Sequence, residues 1–161
     1  MTDSRCGAEH GPERLFDFII HAWGLTMKLE WGEYLSVGVT EIDDQHKQLF
    51  DNFNAFLAAC RNGQSAEEAS RLFAFLGSYV VTHFSDEERL MQRLGYPGYQ
   101  KHREMHREFT LRAAALEERL RSEGPTLSLV TSITLTVNGW LIEHISRVDR
   151  DIGRFVKEKQ A

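Results

Sequence analysis

Nothing in this chain of 161 residues provides for a disulfide framework, a nucleic-acid surface or a membrane span. Cysteine is scarce: Cys6 and Cys60 are the only two, too few to staple a fold, so a reducing cytoplasm is the expected compartment. Basic charge is not in excess. The 19 Lys and Arg residues are outnumbered by 24 Asp and Glu, for a formal charge of −5, and without a concentrated basic face nucleic acid is not an expected partner. Long apolar runs are missing as well. The longest, Leu15 to Trp23, is broken by Asp17 and His21 and is too short to cross a bilayer. The early Asp3 and the lack of a clean apolar stretch argue against a secretory signal. There is no internal repeat and no low-complexity tract. What is present is an ordinary composition, 42% hydrophobic and 27% charged, in a length suited to one domain that buries roughly 70% of its unfolded surface. The unusual feature is seven histidines.

From about residue 41 the apolar residues recur at helical spacing. The first stripe is Ile42, His46, Leu49, Phe50, Phe53, Phe56, Leu57 and Cys60, with Thr40 as the expected N-cap and Asn62-Gly63 as the stop. The second opens with Ser65 and Glu68 in capping-box spacing and runs through Leu72, Phe73, Leu76, Val80, His83, Glu87, Leu90, Met91 and Leu94. After Gly95-Tyr96-Pro97-Gly98 comes His102, Met105, His106, Phe109, Ala113, Leu116 and Leu120, closed by Gly124-Pro125. The fourth stripe is Leu127, Val130, Thr134, Val137, Trp140, Leu141 and His144. Its Thr, Val and Ile content lends a strand some support, but length and the three preceding helices outweigh it.

Short loops between long helices favour antiparallel neighbours. The expected fold is therefore all-α: an up-down-up-down four-helix bundle over residues 28–158, with an N-terminal extended arm over 28–40 and a short basic C-terminal helix to about Lys157. Residues 1–27 form a separate extension. Leu15, Phe16, Ile19, Ile20 and Trp23 would share one helix face there, which suits either a docking helix or an upstream extension ahead of a start at Met27.

In such a bundle the start of the first helix, the end of the second, the start of the third and the end of the fourth lie together. His46, His83, Glu87, His102, His106 and His144 all fall at that end and on the buried seam, whereas His10 and His21 lie outside the bundle. His83 and Glu87 are four apart, as are His102 and His106, so each pair shares one helix face. Buried imidazoles and a buried carboxylate need compensation that a divalent cation supplies. Asp86 is the closer rival to Glu87. Glu88, five residues from His83 and rotated off the stripe, is expected in solvent. Five imidazoles and a carboxylate exceed the needs of one four-coordinate zinc, so two metals fit better and call for a bridging anion. Asp149 is the candidate second carboxylate. At i+5 from His144 it points about 140° away on an ideal helix, so the helix must end or carry a π-type bulge between them.

These residues resemble the hemerythrin family, specifically its single-domain bacterial type, over about Glu30 to Phe155. The resemblance is carried by Trp31, Ile42-Asp43-Asp44-Gln45-His46, His83-Phe84-Ser85-Asp86-Glu87-Glu88 with Met91, Tyr96-Pro97, His102 and His106, and Trp140-Leu141-Ile142-Glu143-His144-Ile145 with Asp149. It implies a non-haem di-iron site: His102, His106 and His144 on one iron, His46 and His83 on the other, with Glu87, Asp149 and a solvent-derived oxo or hydroxo group bridging. It thereby favours Glu87 over Asp86. The implied function is reversible dioxygen binding for storage or delivery, without catalysis. The alternative is an oxygen, redox or nitric oxide sensor acting through a protein partner. Leu49, Phe84 and Ile142 lie near ligands by helical spacing and are expected to line an oxygen pocket. The carboxylate-rich shells and Glu-x-x-His pairs of ferritin-like di-iron proteins have no counterpart among these ligands.

Overall fold

The first long helix begins where the arm is tied down by a single carboxylate. In the computed structural model, which describes residues 29–64 and 66–160, α1 spans Thr40–Arg61. Thr40 is its first residue and not its cap; Val39 holds the cap position in extended geometry with no side-chain cap bond. No side chain caps the amides of α1, and Asp43 inside the first turn instead ties the arm to the helix. Its Oδ1 accepts from the Val37 backbone at 2.8 Å, and its Oδ2 accepts from Ser36 Oγ at 2.7 Å and the Gly38 amide at 3.3 Å. A carboxylate there also complements the positive end of the helix dipole.

Three further helices follow: α2 at Ala66–Leu94, α3 at Tyr99–Glu123 and α4 at Leu127–Glu143. Each packs on its predecessor, as the short loops between them require. Gly63, at φ +64, ends α1 in the left-handed region that Asn62-Gly63 anticipates. Ser65, the expected cap of α2, lies outside the described residues. The β-branched content of α4 is accommodated by back-bonding: Thr131 and Thr134 donate to the carbonyls of Leu127 and Val130 at 2.8 and 2.7 Å. Thr126 caps this helix, accepting from the Leu129 amide.

A six-residue π-helical turn, His144–Asp149, continues α4, and α5 then runs over Arg150–Gln160. The bulge expected between His144 and Asp149 is therefore present, and it lets both side chains enter the interior.

The core is built mainly from Leu49, Phe50, Phe53 and Phe56 of α1 against Phe73, Leu76 and Val80 of α2, Phe109 and Leu120 of α3, and Leu129, Ile133 and Val137 of α4. The arm before α1 is extended except for a 3-10 turn at Glu33–Leu35, and it buries Leu29, Leu35 and Val37. Asn54 clasps it, with its amide accepting from the Leu29 N–H and donating to the Leu29 carbonyl at 2.8 and 2.9 Å. At the other end of the arm, a Cβ on Gly153 of α5 would lie 1.8 Å from the Val37 carbonyl oxygen. Only glycine permits that approach. The stripe assigned to Leu15–Trp23 lies outside the described residues. Among the described residues no helix is long and apolar enough to cross a membrane.

Candidate metal centre

All seven donor residues expected from the sequence meet at one end of the bundle, and all are buried. His46 comes from α1, His83 and Glu87 from α2, His102 and His106 from α3, and His144 and Asp149 from the two ends of the π turn. They form two overlapping groups. In one, ligand atoms of Glu87, His102, His106, His144 and Asp149 lie within 4.8 Å of one another; in the other, those of His46, His83, Glu87 and Asp149 do.

The two carboxylates belong to both groups, and each divides its oxygens between them. Glu87 Oε2 lies 3.4 and 3.2 Å from the Nε2 atoms of His102 and His106, whereas its Oε1 lies 3.7 and 3.9 Å from those of His83 and His46. Asp149 Oδ1 lies 3.3 and 3.1 Å from His102 and His144, and its Oδ2 is 3.3 Å from His46. None of these four oxygens has a hydrogen-bond partner, and neither does His46 Nε2. Leaving a buried polar group unsatisfied costs roughly 1–3 kcal/mol, so a cluster of this kind calls for a cation.

The spacing and number of the donors narrow the kind of cation. The Nε2 atoms of His102, His106 and His144 form a triangle with sides of 2.9, 3.1 and 3.2 Å. Two nitrogens about 2.1 Å from one metal lie about 3.0 Å apart at a right angle and about 3.4 Å apart at a tetrahedral angle. The sides lie close to both arrangements, so the three nitrogens can share one metal, and five imidazoles with two carboxylates exceed what one tetrahedral zinc takes. A mixed imidazole and carboxylate set is compatible with iron. The donors present fit an iron pair.

Burial and mutual proximity tune these groups before any cation is bound. Burial pushes His102 down to about 4, with His144 adding to the effect. Burial, then the neighbouring His102 and His144, takes His106 to about 2. His83 is likewise held well below the usual histidine range by burial and by His46. Burial and the facing Asp149 raise Glu87 well above the carboxylate range. Burial alone would raise Asp149 too, but the adjacent His144 and His46 rings hold it well below its ordinary value. His83, His102 and His106 are thus held in the neutral form that metal ligation requires.

Around the donors lies a shell that helical periodicity exposes only in part. Asp86 is not a donor; it accepts from Gln45 Nε2 at 2.6 Å and pairs with Arg89. Glu88 is not simply solvated, contrary to expectation. Its Oε1 lies 3.2 Å from His106 Nδ1, because α3 packs against the flank of α2 on which Glu88 sits. Trp140 stacks on His144, with ring centroids 4.1 Å apart and planes at 14°, and Trp31 stacks more loosely on His46 at 6.1 Å. The stacking of Trp140 on His144 follows from their i,i+4 spacing on one stripe, whereas nothing in the spacing of Trp31 or Gln45 signals their contacts. Of the three expected pocket residues, Phe84 stacks face to face on His106 at 3.7 Å, Leu49 is fully buried, and Ile142 is half-buried against the core. A surface cavity of about 370 Å³ opens beside Asp86, between Ile42, Leu90 and Arg93, and its lining includes none of the three.

A four-helix bundle whose buried end carries five histidines and two shared carboxylates defines a metal-binding bundle protein. More particularly, the chain belongs to the hemerythrin family, since the hemerythrin HHE cation binding domain matches residues 37–156. It is 33% identical over 111 residues to the bacteriohemerythrin of Methylococcus capsulatus, covering 69% of this chain and 82% of that protein. It is also similar to the myohemerythrin of Sipunculus nudus, 29% identical over 119 residues, covering 74% and 86% of the two chains. A crystal structure of wild-type hemerythrin superposes with a TM-score of 0.71 at 29% identity, over 80% of this chain and 97% of that one.

Proposed function

We propose that this protein binds dioxygen reversibly at a pair of non-haem irons, for storage or delivery. In this reading His102, His106 and His144 hold one iron and His46 and His83 the other, with Glu87 and Asp149 bridging. The observation that supports it best is the division of each buried carboxylate, one oxygen toward each histidine group. The chemistry that such an iron pair supplies is uptake of dioxygen with one electron from each metal, undone on release.

The chain's own residues create the conditions for reversibility. Seven side chains from four helices hold the pair in a rigid, buried frame, which limits rearrangement between states. Phe84 and Trp140 cover His106 and His144 with apolar ring faces, and Leu49 adds to the buried apolar core. Free protons would convert reversible binding into irreversible oxidation, and the interior offers few. Glu87 and Asp149 are both engaged as ligands. The Cys60 thiol, raised by burial to about 11, sits at the far end of α1, fourteen helical residues or about 21 Å from His46. The result is a binding protein and not an enzyme.

The test is to load the purified chain with ferrous iron without air, count the metal, and alternate oxygen and argon while recording the visible spectrum. Two irons per chain and an absorption band that appears under oxygen and vanishes under argon are expected. A single zinc per chain, or immediate irreversible oxidation, would overturn the reading.

A further inference from the structure

The outer nitrogens of the ligand rings are held differently in the two halves of the site. His83 Nδ1 lies 3.0 Å from Gln45 Oε1. The Gln45 amide nitrogen donates to Asp86 at 2.6 Å, and Asp86 also binds Arg89, so the carbonyl end of the amide must face His83. His106 Nδ1 lies 3.2 Å from Glu88 Oε1, while the second oxygen of Glu88 is 3.7 Å from Arg103 Nε. An amide oxygen and a carboxylate oxygen both accept, so each ring carries its proton on Nδ1 and turns an unprotonated Nε2 toward the site. The Nδ1 atoms of His46, His102 and His144 have no protein partner. Among the described residues Glu88 is therefore the one charged group on an outer ring nitrogen.

We propose that Glu88 is a positioning residue which, through His106, sets a negative charge behind the metal on the His102–His106–His144 half and so favours the ferric state there over the His46–His83 half, whose outer partner Gln45 is neutral. The inference rests on the two-iron reading above. A charge-assisted hydrogen bond is roughly twice as strong as a neutral one, and an outer carboxylate raises the basicity of the imidazole it holds. His106 is buried, so solvent does not intervene between Glu88 and the site; Arg103, on the exposed side, offsets only part of the charge. The redox step is simple. A ferrous ion becomes ferric, its electron passes to the electrode of the titration, and no proton moves.

The test is a spectroelectrochemical titration of the iron-loaded protein as wild type, Glu88→Gln, Glu88→Asp and Gln45→Ala, after metal counting. Gln keeps an acceptor for Nδ1 but removes the charge. It should raise the ferrous-to-ferric ratio of one half about tenfold at fixed potential, a shift of about 59 mV for one electron, and move the other half less. Glu88→Asp should restore the wild-type value to within about threefold, and Gln45→Ala should produce no upward shift. Equal shifts in Glu88→Gln and Glu88→Asp, or none in either, would overturn the proposal. A second readout is independent of iron: histidine ¹⁵N NMR of the zinc-loaded protein should show His106 protonated on Nδ1, with that proton moving upfield in Glu88→Gln. A bare Nδ1 on His106 would also overturn it. Failure to bind two irons would instead refute the two-iron reading, leaving the NMR result to decide the Glu88–His106 contact.

Discussion

Replacing Gly153 with alanine should unfasten the arm from the end of the bundle that carries the metal site. The added Cβ would lie 1.8 Å from the carbonyl oxygen of Val37, 2.8 Å from its carbonyl carbon and 3.3 Å from its Cα. These are backbone atoms and cannot rotate aside. Val37 is also anchored through its N–H to Asp43, so the arm cannot shift without breaking that bond or pushing α5 outward. Overpacking of this kind costs about 1–3 kcal/mol. If the arm lets go, the burial of Leu35 and Val37, each worth up to about 1.5–3 kcal/mol, is partly lost too. The expected destabilisation is about 3 kcal/mol, which in a chain of this size lowers Tm by about 6–12 °C. Urea and thermal melts followed by circular dichroism measure it. Gly139→Ala is the control: nothing lies within 4 Å of its Cβ, and it sits inside α4. That substitution should stabilise by about 0.5–1 kcal/mol. A loss of less than about 0.5 kcal/mol in Gly153→Ala, or an equal loss in the control, would refute the close-approach argument.

Asp43→Asn retains one acceptor but turns an amide nitrogen toward groups that donate, and it should cost about 2 kcal/mol in urea unfolding. Glu87→Ala removes a carboxylate shared by both histidine groups, and elemental analysis should find less than one iron per chain. The metal-free protein should weaken as pH falls below 6.5. Burial depresses His83, His102 and His106, so the unfolded chain takes up protons there that the folded chain refuses, and their contribution, complete above 6.5, is lost on acidification. Glu87, raised by burial, works in the opposite direction by holding a proton in the folded state. The net difference of about two protons gives a slope of about 3 kcal/mol per pH unit between pH 6 and 5. A flat profile of urea midpoints over that range would contradict these shifts.

The helices and their inward faces were legible because burial follows a 3.6-residue period that any chain must respect to hide its apolar side chains. Of the eight residues assigned to the first stripe, Ile42 through Cys60, all are buried. The bulge after His144 could also be anticipated, since no regular helix places residues five apart on one side. Composition favours Thr40 as a cap, but α1 has no side-chain cap, and the Asp43 carboxylate instead reaches back to arm residues five to seven positions earlier. The contact of Glu88 is hidden from helical periodicity, which describes one helix at a time, because its partner lies 18 residues away on another.

Local spacing and chain order, by themselves, determined that this protein is a four-helix bundle with seven candidate metal donors gathered at one end. Both properties repeat within a few residues and can be counted along the chain. Tertiary structure alone decided which oxygen of each carboxylate faces which histidine group. It also decided that Gln45 serves His83 across 38 residues, that Glu88 stands behind the His106 ring, and that Gly153 must be bare. Those outcomes depend on distances of a few ångströms between helices, which are set by how the faces pack and are encoded in no single segment.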